Sequence, residues 1–144
     1  MIREINLKDD LNKVVYLIYQ TFCLCNKFDS SKKLIDKMDQ LFWPWIDINY
    51  TKSIFEQSSI VLVYELNWEI IWIIRSKRNR IANLFVNPSQ QGKWIGKQLL
   101  NKLEIEAKRL WYKEIYLKPS KYALSFYQNN WYITKDDKYL YKKI

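Results

Sequence analysis

Apolar and polar positions repeat with two different periods along this chain. From Leu7 the apolar residues Leu11, Val14, Val15, Ile18 and Phe22 recur at helical spacing and predict a first helix. Asp9 and Asp10 fall in its first turn, where carboxylates favour the helix dipole. Residues 2–6 ahead of it read as a short strand. Leu34, Ile35, Met38 and Leu41 share one face of a second helix, starting at Ser30 or Ser31 and broken at Trp43, Pro44 and Trp45. Residues 51–57 add a helical turn. The period then changes, and residues 59–66, 69–75 and 81–86 read as strands. Only Asn67 and Trp68 separate the first two, which predicts a hairpin. A long amphipathic helix over about 92–110 follows. Ile95, Leu99, Leu100, Leu103 and Ala107 form its apolar stripe, with Lys97, Lys102, Glu104, Glu106 and Lys108 outside. Residues 113–118 form a fourth core strand and 120–129 a short helix. Residues 132–134 and 138–142 form a terminal hairpin. The order β-α-α-β-β-β-α-β-α-β-β describes one α/β domain over residues 1–144.

Composition narrows the function classes. Hydrophobic residues make up 49% and charged residues 27%, so the chain can build a core and is no disordered tail. The longest apolar runs, 60–64 and 70–74, fall far short of the roughly 18 residues a membrane helix needs. Residues 1–10 are too charged for a signal peptide, and a cytoplasmic protein is expected. There is no histidine, which removes Ser-His-Asp and Cys-His chemistry and histidine-bearing zinc sites. Cys23 and Cys25 cannot fill a structural zinc site alone and read as small semi-buried residues; no metal is expected. The net charge of +9 has two readings. Frequent Lys, Ile, Asn and Tyr fit an AT-rich gene. A polyanionic partner, either a phosphorylated cofactor or a nucleic acid, would also explain it, and Lys77, Arg78 and Arg80 cluster on one turn.

The stretch from 84 to 100 is the most informative. It is a strand, a tight loop and a helix start. The unpaired amides and positive dipole end of a helix N-terminus can hold phosphate. Gly92 and Gly96 permit close backbone approach, and Lys93 and Lys97 add charge. The plain alternative is an ordinary strand-to-helix turn.

This stretch resembles the coenzyme A motif of the GNAT acyltransferase superfamily. Leu84, Val86 and Pro88 match the family's strand, and Gln91, Ile95 and Gly96 its loop, followed by Leu99 and Leu100. A later family motif is similar to Ala123, Phe126, Tyr127, Trp131 and Tyr132. The element order agrees from residue 2 to 144. The resemblance implies a mixed, mostly antiparallel central sheet flanked by about four helices. It implies acetyl transfer from acetyl-CoA, as co-substrate, to a primary amine by direct attack. The pyrophosphate would sit on the amides of Gln91, Gly92, Lys93, Trp94, Ile95, Gly96 and Lys97. The pantetheine arm would lie along Leu84, Phe85 and Val86, where a backbone amide would polarise the thioester. Tyr127 would protonate the leaving thiolate, as general acid. Its alternative is a core aromatic beside Phe126.

The sequence departs from the family in places. Ser120 stands where many members carry a cofactor-contacting asparagine. Asn83 stands nearest to the family's strand glutamate and cannot take a proton; Glu65 and Glu69 are weak substitutes, so no base is assigned. The acceptor, a small-molecule or peptide amine, would lie among residues 7–57 and 132–144. Many relatives dimerise. Two rival readings remain: a nucleic-acid-binding or charged-tRNA-modifying protein, and a non-catalytic acyl-CoA sensor on the same fold.

One departure is systematic. The chain holds 2 glycines and 7 tryptophans, where about ten glycines would be usual. Trp94 replaces the loop's middle glycine, and Trp68 follows Asn67 where a type I′ turn wants positive φ. Trp72 stands at a strand position often held by glycine. Trp111 and Trp131 stand where helices should end in a glycine cap. Some bacterial lineages read UGA as glycine and others as tryptophan. Translating a gene of the first kind with the second table would give this placement.

Overall fold

The computed structural model describes residues 1–26, 31–33, 35–36, 48–92 and 94–144. Strand β1 (Ile2–Glu4) leads into helix α1 (Leu7–Thr21), which runs on as a π-helical turn over Phe22–Asn26. Helix α2 spans Ile48–Glu56. Strands β2 (Ile60–Leu66), β3 (Glu69–Lys77) and β4 (Arg80–Val86) follow as antiparallel neighbours. A 3-10 turn at Pro88–Gln90 leads to helix α3 (Ile95–Arg109). Strand β5 (Glu114–Leu117), helix α4 (Leu124–Gln128) and the hairpin β6 (Ile133–Thr134) and β7 (Leu140–Lys143) complete the order. The expected second helix is described only at 32–33 and 35–36, which are helical; the rest of it, with Trp43 and Trp45, lies outside the described residues.

The sheet has seven strands in the order β1-β2-β3-β4-β5-β7-β6, and every pairing except β4 with β5 is antiparallel. This is the mixed, mostly antiparallel architecture that the family resemblance implies. Both faces are covered, so the central strands have no polar side. On one face Leu62, Ile74, Ile81 and Ile115 pack against Leu99, Leu100 and Leu103 of α3. On the other, Val61, Val63, Ile73 and Phe85 pack against Val14 and Ile18 of α1 and Phe55 of α2. Val61, Leu62 and Val63 alternate between the two clusters, as do Ile73 and Ile74, as period-two alternation requires.

The first turn of α1 does more than complement the dipole. Asp10 is buried, accepts from the Asn6 amide at 2.8 Å and holds the Arg3 guanidinium at 2.6 and 3.0 Å. Arg3 Nε also donates to Glu65 at 2.6 Å, so one cation ties β1, α1 and β2 together. These contacts hold the Asp10 carboxyl below its ordinary value, the Arg3 hydrogen bond most of all.

One turn and two helix ends carry tryptophan in the left-handed backbone region, as does the start of α3 at Trp94. Asn67 and Trp68 have φ of 51° and 66°, the pair of positive values that a type I′ hairpin turn needs. Helix α3 ends with Trp111 at φ 65°; its amide bonds Lys108 O at 2.9 Å, and the Tyr112 amide bonds Ala107 O at 3.1 Å. Helix α4 ends the same way, with Trp131 at φ 71°, its amide on Gln128 O and the Tyr132 amide on Tyr127 O, both at 3.1 Å. Both are Schellman closures, in which the left-handed position is usually glycine.

Candidate functional site

Strands β4 and β5 run parallel but pair only at Arg80 with Tyr116. Beyond that point they part. Leu84, Phe85 and Val86 keep their partners Ile74, Ile73 and Trp72 on β3, while among the described residues no strand pairs with their other edge. A cleft of about 230 Å³ lies at this opening. Leu84, Phe85 and Val86 line it together with Ser120, Ala123 and Phe126, and Thr21, Trp72, Gln91 and Tyr122 complete the lining.

The expected site residues fall into three groups. Leu84, Phe85, Val86, Gln91 and Ser120 line the cleft. Gly92 has φ 78° and open space where a Cβ would stand, so the loop backbone there is accessible. Ile95, Gly96 and Lys97 form the first turn of α3, which begins at Trp94 with no side-chain cap. An uncapped N-terminus leaves amide donors for an anion. Trp94 has φ 61° and is exposed, with Lys97 Nζ 5.4 Å from its ring centroid. Lys93 lies outside the described residues.

Tyr127 is buried in the core, its ring 5.1 Å from that of Phe126 and 5.5 Å from that of Tyr132. Its neighbour Phe126 lines the cleft and Tyr127 does not. Burial pushes the Tyr127 phenol up from its ordinary value, so it stays protonated. Ser120 Oγ accepts from the Ala123 amide at 3.2 Å, opening the turn into α4. Tyr122 Oη donates to Gln91 Oε1 and links that turn to the loop before α3.

The weak base candidates are engaged or distant. Asn83 Oδ1 accepts from Arg75 Nε at 2.7 Å, and Glu65 is bound to Arg3. Glu69 is exposed at the head of β3. Arg75 also donates to Ser58 Oγ at 3.1 Å, and burial pushes it down to about 10.

Sequence periodicity missed Thr21, Trp72 and Tyr122 as lining residues. Thr21 is a polar residue on the buried face of α1, where an apolar pattern carries no signal for it. Its hydroxyl donates to Val86 O at 3.0 Å, in a buried contact, and fixes the end of β4.

Among the described residues no cluster of three metal-ligating side chains occurs, and no helix is long and apolar enough to cross a membrane. Residues 45–144 match the family described as an acetyltransferase (GNAT) domain, and the chain belongs to that family. None of the curated proteins matches the sequence. Many solved structures share the fold, among them the following three. A GCN5-related N-acetyltransferase, described as a class-II aminotransferase, from Rhodopseudomonas palustris aligns with a TM-score of 0.84 at 15% identity, covering 100% of this chain and 95% of that one. A PaiA N-acetyltransferase from Thermoplasma acidophilum, in complex with coenzyme A, gives 0.77 at 20% identity, covering 100% and 98%. A GNAT family acetyltransferase from Brucella melitensis, in complex with acetyl-CoA, gives 0.72 at 12% identity, covering 100% and 87%.

Proposed function

We propose that residues 1–144 act as one N-acetyltransferase domain, moving an acetyl group from acetyl-CoA to a primary amine. The observation that carries this reading is the open edge of Leu84, Phe85 and Val86, followed along the chain by the uncapped start of α3. An extended chain bearing a pyrophosphate needs both: strand-like hydrogen-bond partners for the arm and amide donors for the phosphates.

The backbone fits such a ligand. Gly92 leaves the loop open, and Ile95, Gly96 and Lys97 supply the donors. Two side chains do not fit. Trp72 lines the cleft, whose volume of about 230 Å³ is below the 300–1,000 Å³ usual for ligand pockets. Trp94 sets an indole at the head of the helix.

When bound, acetyl-CoA would supply the thioester. A β4 amide in the open edge would hydrogen-bond the developing oxyanion. The neutral amine nitrogen would bond the acetyl carbon as the carbon–sulfur bond breaks; the leaving sulfur would take a proton from the Tyr127 phenol, which lies behind the cleft lining beside Phe126, and the nitrogen's surplus proton would pass to water, from which the phenol is restored. Asn83 accepts no proton, so the amine reaches the site neutral or loses its proton to water. The basic turn with Lys77, Arg78 and Arg80 lies at the other end of β4 from the cleft and takes no part.

Calorimetric titration with acetyl-CoA tests the reading, using the chain as written and its Trp72→Gly/Trp94→Gly variant. Thiol release is then followed with a panel of primary amines. Micromolar binding with amine-dependent thiol release supports it. Two folded proteins that bind no acetyl-CoA overturn it.

A further inference from the structure

Four tryptophans share two properties that do not go together. Trp68, Trp94, Trp111 and Trp131 have φ of 66°, 61°, 65° and 71°. They are also 86%, 73%, 90% and 80% exposed. A bulky side chain at positive φ is a genuine outlier, held only where surrounding contacts over-determine it. Here the indoles are mostly in water: Trp94 has only the Lys97 ammonium 5.4 Å from its ring centroid, and among the described residues the rings of Trp68, Trp111 and Trp131 make no aromatic or cation contact. Tryptophan is highly buried on average, because its large apolar surface is what it contributes to a fold.

The backbone at these positions is well determined by other groups. The β2–β3 turn is set by the strand register, which pairs Leu66 with Glu69. The α3 and α4 closures are set by amide bonds and by the Tyr132 ring on Tyr127. At 68, 111 and 131 the structure therefore asks for a residue without a Cβ, and the exposed side chain present adds little in return.

Trp72 differs. It is buried in β3, and its Nε1 hydrogen has no partner among the described residues. Its ring fills space beside Gly96 and the cleft. A buried indole normally finds an acceptor for that hydrogen.

We infer that positions 68, 94, 111 and 131 are glycine in the protein made by its own cells, through UGA codons read there as glycine. Position 72 is a fifth such site. The inference at 68, 111 and 131 rests on backbone geometry alone. At 72 and 94 it rests also on the coenzyme reading, because glycine there enlarges the cleft and bares the helix start.

The direct test is peptide mass spectrometry of the protein isolated from the cells that carry the gene. Glycine at 68, 111 and 131 is expected, and tryptophan at these positions overturns the inference. A second test uses the full recombinant chain. Trp68→Gly, Trp111→Gly and Trp131→Gly should each raise the thermal midpoint by roughly 3 °C. The matching changes to alanine remove the indole but keep the Cβ, and should raise it less. Equal effects of glycine and alanine would overturn the backbone argument. The three glycine changes should leave acetyl-CoA affinity within about twofold, whereas Trp72→Gly/Trp94→Gly should raise it at least about tenfold, roughly 1.4 kcal/mol. Glycine at 68, 111 and 131 in the native protein, with no acetyl-CoA binding by the glycine form, supports the recoding and defeats the coenzyme reading instead.

Discussion

The indole of Trp72 lies so close to Gly96 that a Cβ on Gly96 would stand 2.7 Å from ring carbon Cζ3 and 2.9 Å from Cη2. Gly96 sits in the first turn of α3, where alanine would by itself favour the helix by up to about 1 kcal/mol. Overpacking against a ring held between β3 and α3 costs roughly 1–3 kcal/mol. Gly96→Ala should therefore destabilise the chain as written. In a Trp72→Gly background the nearest of the remaining contacts is the Phe126 ring at 3.2 Å, which need give by only a few tenths of an ångström. The cost should then fall, with a coupling of about 1 kcal/mol or more in a double-mutant cycle by urea unfolding. Effects that add within about 0.3 kcal/mol would mean the contact is not felt.

Arg3 and Asp10 give a pH-dependent prediction. Arg3→Ala leaves a buried carboxylate without its cation and should cost about 3 kcal/mol at neutral pH. The Asp10 carboxyl lies below its ordinary value of 3.8 in the folded chain. Its contribution is thus complete above that value and lost as pH falls through the folded one. The gap between wild type and Arg3→Ala should narrow on acidification, read as urea midpoints at neutral and strongly acidic pH. A constant gap would show that the ion pair does not carry the cost.

Thr21→Val tests the anchoring of β4. The change keeps the shape and removes the hydroxyl that donates to Val86 O in a buried site. The unpaired carbonyl should cost about 1–3 kcal/mol. Amide exchange at Asn87, whose N–H bonds Ile71 O beside it, should quicken. Unchanged stability would mean that water reaches the carbonyl.

Most of the fold was legible because burial on both sheet faces forces apolar runs at 60–64 and 70–74, and α3 carries a clean stripe from Ile95 to Ala107. Boundaries shrank where polar ends make no ladder or helix bonds. The helix expected from Gly92 begins at Ile95, because Gly92 and Trp94 both hold positive φ. The helix expected from Ser120 begins at Leu124, because Ser120 spends its hydroxyl on the Ala123 amide. Asp10 looked like a dipole partner and is a buried ion pair, since the distance from Arg3 is set by strand β1, which periodicity does not measure. In the site, the strand and loop residues were found from the motif. Thr21, Trp72 and Tyr122 were not, since each reaches the cleft from a different element and no spacing along the chain records that.

Tyr127→Phe is the sharpest test of the chemistry. Among the described residues the Tyr127 hydroxyl makes no hydrogen bond, while its ring packs on Phe126 and Tyr132. Phenylalanine keeps the ring contacts, so folding should change little at neutral pH. Burial raises the phenol above its ordinary value of 10.0, so its contribution to stability is present below that value and lost as pH rises through the folded one. Loss of stability in strong alkali should therefore be smaller in Tyr127→Phe. If the phenol gives its proton to the leaving sulfur, kcat should fall by about 100-fold while acetyl-CoA affinity stays within about twofold. The wild-type rate should also show no alkaline decline from this group at or below its ordinary value. A Tyr127→Phe enzyme with normal kcat and reduced alkaline sensitivity would make Tyr127 a core aromatic, and the proton would then reach the sulfur from water in the cleft.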